Sequence, residues 1–120
     1  MNVPASNKFL YFNEAADFAT ANNMSCYRAD KIKGFRNVDA TSLVIEFEPL
    51  LSVADSDDTS VVGDSVDLTI ASATHKTVIE SILNEITFGN SVNIVVFDAV
   101  ASDSINSNIS AATVTVTAEA

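Results

Sequence analysis

Apolar residues recur along this chain at two different periods, and the change of period divides it into strands and one helix. Lys8-Phe-Leu-Tyr-Phe12 is aromatic and apolar on both faces, which suits a strand buried on at least one side. Glu14 to Asn22 has helical propensity but only Phe18 as an anchor, so it predicts a loop or one to two helical turns. Ser25 to Asn37 reads as a strand in which Gly34 marks a bulge or a close approach. Asp39-Ala-Thr41 supplies a turn. Ser42 to Glu48 then alternates, with Leu43, Ile45 and Phe47 on one face and Val44, Glu46 and Glu48 on the other, until Pro49 stops the ladder. Ser52 to Asp64 is rich in Asp, Ser and Thr and predicts a solvated loop.

Val66, Leu68 and Ile70 form the next alternating strand. The period then lengthens. Val78, Ile79, Ile82, Leu83 and Ile86 make an apolar stripe at helical spacing, predicting a helix over His75–Phe88 with Thr74 or Ser72 as N-cap and Gly89 as the C′ residue. Ser91 to Phe97 is apolar enough for a central strand, Ser102 to Ser110 is a polar linker, and Thr113 to Thr117 reads as an edge strand. Six strand-like runs and one amphipathic helix predict a single domain over 1–120 of the α+β class. The expected architecture is a mostly antiparallel sheet of five or six strands with the helix at about 75–88 packed on one face, since neither partner can bury its apolar side alone.

Composition narrows the function classes. The 120 residues carry 16 acidic and 6 basic side chains, a net charge of −10, which opposes binding to nucleic acid or to an anionic membrane. No run of about 18 apolar residues occurs, so no spanning helix is expected, and Met1 to Phe12 lacks the apolar region of a signal peptide. The charges are segregated: Arg28, Lys31, Lys33 and Arg36 lie between positions 28 and 36, whereas Asp55, Asp57, Asp58, Asp64 and Asp67 fall in a window without a cation. These clusters predict one basic and one acidic face.

Catalytic constellations are missing from the sequence. The one histidine, His75, opens the helix, where positive charge is disfavoured, so it is expected to serve as a neutral hydrogen-bonding residue rather than a general base. The one cysteine, Cys26, excludes an internal disulfide and has no base partner in sequence; it reads as a buried small hydrophobe on a strand. A calcium loop starting at Asp55 fails at its fifth, sixth and twelfth positions, which are Thr59, Ser60 and Val66. Three glycines, at 34, 63 and 89, make no phosphate-cradling loop. Glu46 and Glu48 share a strand face without flanking any cleft signal. No catalytic residue, no metal and no cofactor is therefore expected.

The succession of Lys8–Phe12, Tyr27-Arg-Ala-Asp-Lys-Ile-Lys-Gly34, Asp39–Phe47, Val66–Ile70 and His75–Leu83 resembles the small virion structural proteins of tailed phages of marine bacteria, cyanophages in particular. The resemblance is one of pattern and length and does not extend into the Asn- and Ser-rich C-terminal third. It implies a non-enzymatic capsid decoration or accessory shell component, located in the virion after assembly in the host cytoplasm. The implied partners are further copies of the chain, as a closed homo-oligomer, or a phage shell protein. On this reading Arg28, Lys31, Lys33 and Arg36 of one subunit face acids such as Asp55, Asp57 and Asp58 of a neighbour, and the exposed edge at Thr113–Thr117 adds contacts. A second class stays open, an acidic binding module that mimics DNA and inhibits a host protein. Mimicry calls for regularly spaced carboxylates, and the helix carries only Glu80 and Glu85.

Overall fold

A computed structural model describes residues 4, 7–15, 23–48 and 63–116. It contains strands β1 (Phe9–Asn13), β2 (Met24–Arg28), β3 (Ile32–Asp39), β4 (Ser42–Phe47) and β5 (Asp64–Ile70), helix α1 (His75–Phe88), and strands β6 (Asn93–Asp98), β7 (Asp103–Ser104) and β8 (Ile109–Thr115). The α+β class holds, but the strands form two sheets. Sheet A has the order β2-β1-β6-β7 and sheet B the order β3-β4-β5-β8. All pairings are antiparallel except β1 with β6, whose parallel alignment requires the crossover that passes through the second sheet and α1.

Eight strands replace the expected five or six for two local reasons. The run Ser25–Asn37 is divided by a 3-10 turn at Ala29–Lys31, where the chain leaves sheet A and enters sheet B. Asp30 and Lys31 interrupt the alternation, Ala29 N–H donates to Lys8 O, and Glu48 N–H donates to Lys31 O, so the backbone groups of the turn are taken up by both neighbours. A single strand of that length would also exceed what strands in globular domains usually reach. The second addition is β7, a two-residue strand inside the polar linker. β8 begins at Ile109, earlier than the alternation at Thr113 suggests, and it does form an edge of sheet B. The expected loop or turns at 14–22 and the acidic loop at 52–64 fall largely outside the described residues.

Leu10 and Phe12 of β1, Tyr27 of β2, Leu43, Ile45 and Phe47 of β4, Val66, Leu68 and Ile70 of β5, Ile94 and Val96 of β6 and Val114 of β8 point into one core between the sheets. Val78 and Ile82 of α1 join it, with Ile79 and Ile86 packed against it, so the helix contributes to a core made by both sheets. Leu83 is the exception in the apolar stripe, being exposed.

Each end of α1 is tied to a different sheet. At its start the His75 Nε2–H donates to Asp39 O at 2.9 Å and to Ser42 O at 3.1 Å, across the β3–β4 turn. At its end the fully buried Lys8 ammonium donates to the carbonyls of Glu85, Ile86 and Gly89, just before β1. The last turn carries no cation of its own, so Lys8 supplies both the missing donors and the charge that the helix C-terminus favours. Gly89 is at the end of the helix as expected but in extended backbone, with φ −73°, so its role is not the left-handed cap. Thr74 occupies the N-cap position without capping; its hydroxyl donates to Ala71 O instead.

Candidate functional site

The four clustered cations do not form one face. Arg28 ends β2 in sheet A, Lys31 lies in the 3-10 turn, and Lys33 and Arg36 lie on β3 at the edge of sheet B. Three of them are neutralised within the chain: Arg28 Nε by Asp30 Oδ1 at 2.8 Å, Lys31 Nζ by Glu48 Oε2 at 3.3 Å, and Arg36 Nε by Glu46 Oε2 at 2.7 Å. All three pairs are solvent-exposed, where such contacts contribute about 0–1 kcal/mol each. Asp55, Asp57 and Asp58 lie outside the described residues.

Lys33 and Arg36 border a shallow groove of about 330 Å³ with Gly34, Phe35, Glu46, Phe47 and Gly63. A Cβ on Gly63 would fall on the Phe47 carbonyl oxygen, so close approach of two backbones requires glycine there. Gly34 has open space around it and follows a register shift between Ile32 and Gly34; its role is the bulge rather than close approach. Bulges at both ends of β3, together with Lys33, Arg36 and Asp39 along it, are devices that discourage another strand from adding to this edge.

The outer faces of the two sheets differ in chemistry. On sheet B the outward rows across the strands are Arg36, Val44, Asp67, Thr113 and Gly34, Glu46, Ser65, Thr115, an almost wholly polar surface. On sheet A the corresponding rows are Cys26, Tyr11, Val95 and Arg28, Phe9, Asn93, with Met24 and Asp98 flanking Asn13 at the far end. Phe9 is 38% and Met24 44% exposed, while Tyr11, Cys26 and Val95 are half-buried. The pattern of β1, apolar at both odd and even positions, is the sequence signal for this face: Leu10 and Phe12 serve the core, leaving Phe9 and Tyr11 outside.

The titratable groups are set up for structure. Burial pushes the Cys26 thiol up, which keeps it protonated and poorly nucleophilic at neutral pH. Burial, then the Asp98 carboxylate and Cys26, push the Tyr11 phenol up. The Nε2 of His75 is engaged with two carbonyls, both acceptors, so it carries the proton. Tyr27 OH donates to the buried Asp64 at 2.7 Å, and burial followed by that bond raises the phenol strongly. Among the described residues no three His, Cys, Asp or Glu side chains converge to hold a metal ion, and no helix is long and apolar enough to cross a membrane. In comparisons with known proteins, no family, no curated protein and no solved structure matches the chain.

Proposed function

We propose that the protein is a non-enzymatic structural component of a phage particle, a capsid decoration or accessory shell protein, which works by protein–protein assembly through the outer face of sheet A. The observation that carries the assembly reading is the unequal pair of sheet faces: aromatic and aliphatic side chains stay in contact with water on sheet A, while sheet B presents polar ones. A contiguous apolar surface on an otherwise acidic protein marks a place where another macromolecule docks. The resemblance of residues 8–83 to small virion proteins of marine tailed phages supports the particle as the setting.

The DNA-mimic alternative is less well supported by the acids. Asp30, Glu46 and Glu48 are paired with cations, Asp64 is buried against Tyr27, Asp39 and Asp98 hold turns, and the Glu14 carboxylate accepts the Val114 N–H at 2.7 Å. Carboxylates committed to internal partners are not arrayed as a phosphate backbone is. Mass spectrometry of gradient-purified particles tests the proposal: the chain is expected at a fixed ratio to the major shell protein. Its presence only in infected-cell cytosol would overturn the reading and favour the inhibitor.

A further inference from the structure

Four strands bound the two sheets, β2 and β7 in sheet A and β3 and β8 in sheet B, and three of these edges carry a device against further pairing. β7 is two residues long. β3 shifts register at both ends and bears Lys33, Arg36 and Asp39. β8 shifts register near its start, and its Val114 N–H is taken by the Glu14 carboxylate at 2.7 Å. β2 has no such device: it runs five residues without a register shift against β1, without proline and with a single charge, Arg28, at its last position.

Hydrogen bonds at the two ends of the β1–β2 ladder fix which way the backbone of β2 points. Glu14 N–H donates to Asn23 O and Ala29 N–H donates to Lys8 O, so the bonded pairs between them are Leu10 with Tyr27 and Phe12 with Ser25. The main-chain N–H and C=O of Met24, Cys26 and Arg28 therefore point away from β1, and among the described residues nothing pairs with them.

We infer that β2 pairs edge to edge with β2 of a second copy, antiparallel about a two-fold axis at Cys26, which joins the two A sheets into one continuous sheet with four strands from each copy. The edge itself selects this occupant. Its outward residues are centred on Cys26 and so form a self-complementary set: Cys26 exchanges both bonds with its mate, and Met24 exchanges both with Arg28 of the other copy, leaving no outward donor or acceptor unpaired.

The side chains agree with this register. The row Val95, Tyr11, Cys26 runs on across the seam into the same row reversed, an unbroken apolar line on the outer face. Met24, 44% exposed, comes beside the aliphatic stem of Arg28 of the other copy, whose guanidinium keeps its bond to Asp30. No like charges are opposed along the seam, because β2 contains no acid and its one arginine faces methionine. For two copies that each carry −10, that sets this edge apart from the charged edge at β3. The pairing goes beyond the assembly reading, since it uses the edge of sheet A and leaves its outer face open and twice as wide.

The test uses the purified full chain at about 100 μM. The wild type is expected to sediment at twice its 12.7 kDa. Hydrogen exchange followed by nuclear magnetic resonance reads the seam directly: the amides of Met24, Cys26 and Arg28 are expected to exchange about tenfold or more slowly than after dilution to monomer, while those of Ser25 and Tyr27, bonded to β1, stay protected in both states. Cys26→Pro removes one outward N–H and no bond to β1, so it is expected to sediment as a monomer with unchanged far-ultraviolet circular dichroism, whereas Cys26→Ala, which keeps the N–H, stays associated. A monomeric wild type overturns the inference whether or not the chain is found in particles. So does a folded Cys26→Pro that still associates, or a dimer whose three outward amides exchange as fast as in the monomer. If Cys26→Pro does not fold, the exchange measurement decides. Absence from particles bears on the assembly reading alone.

Discussion

Tyr27 of sheet A lies flat on Phe47 of sheet B, with ring centroids 4.1 Å apart and planes 8° from parallel. Phe12 meets both rings edge-on, at 6.4 Å from Tyr27 and 5.9 Å from Phe47, so an aromatic trio joins the two sheets. The Tyr27 hydroxyl continues past the stack to the buried Asp64 at the start of β5.

Tyr27→Phe keeps the stack and removes the donor to a buried carboxylate, so chemical denaturation is expected to show a loss of about 1–3 kcal/mol. The pH dependence follows from the raised phenol. In the unfolded chain Tyr27 ionises near pH 10, while in the folded chain it stays protonated to a higher pH, so its contribution is fully present below about pH 10 and is lost as pH rises beyond it. The melting temperature of the wild type is expected to fall above about pH 10 more steeply than that of Tyr27→Phe.

Lys8→Met fills nearly the same volume but leaves three carbonyls at the end of α1 without their donor. A loss of about 2 kcal/mol is expected, which for a domain of this size lowers the melting temperature by roughly 8 °C. An unchanged melting curve would remove the ammonium from its capping role.

Much of the architecture was readable from the sequence where one physical signal dominated. The helix bounds His75–Phe88 follow from an apolar stripe with no competing pattern, and β4 and β5 from clean alternation. The break at Ala29–Lys31 was hidden because Asp30 and Lys31 are too brief an interruption of the alternation to mark where the chain changes sheets, a tertiary event with no local period. Nothing in the sequence around Lys8 signals its burial, which depends on a helix end 77 to 81 residues away. The basic cluster was visible as a sequence feature, but the neutralisation of Arg36 depended on β3–β4 pairing, which places Glu46 beside it. Phe9 and Tyr11 make the second face of β1 apolar in the sequence, yet only the sheet order shows that this face points away from the core.

Gly63, just before β5, and Gly34, within β3, should respond oppositely to alanine. At Gly63 the added methyl meets the Phe47 carbonyl, and a loss of about 1–3 kcal/mol is expected from the forced backbone shift. At Gly34 nothing stands within 4 Å, so alanine is expected to be neutral or to stabilise by about 0.5–1 kcal/mol. Paired urea denaturation curves measure both.

Ile82 is fully buried in the core that α1 shares with both sheets. Ile82→Asp introduces an unpaired charge at a cost of several kcal/mol, comparable with the roughly 5–15 kcal/mol that holds a domain folded. The variant is expected to lack a cooperative melt, as followed by circular dichroism.

Cys26, the single cysteine, lies on the outer face of sheet A directly opposite Tyr11 and reports on that face without any substitution. The rate of maleimide labelling of Cys26, measured on the free chain in dilute solution and on the chain in purified particles, tests the central claim that this face is the assembly surface. Labelling is expected to be slower by about tenfold or more in particles, because a docked partner excludes the reagent from a half-buried thiol. Equal rates in the two states would contradict the claim.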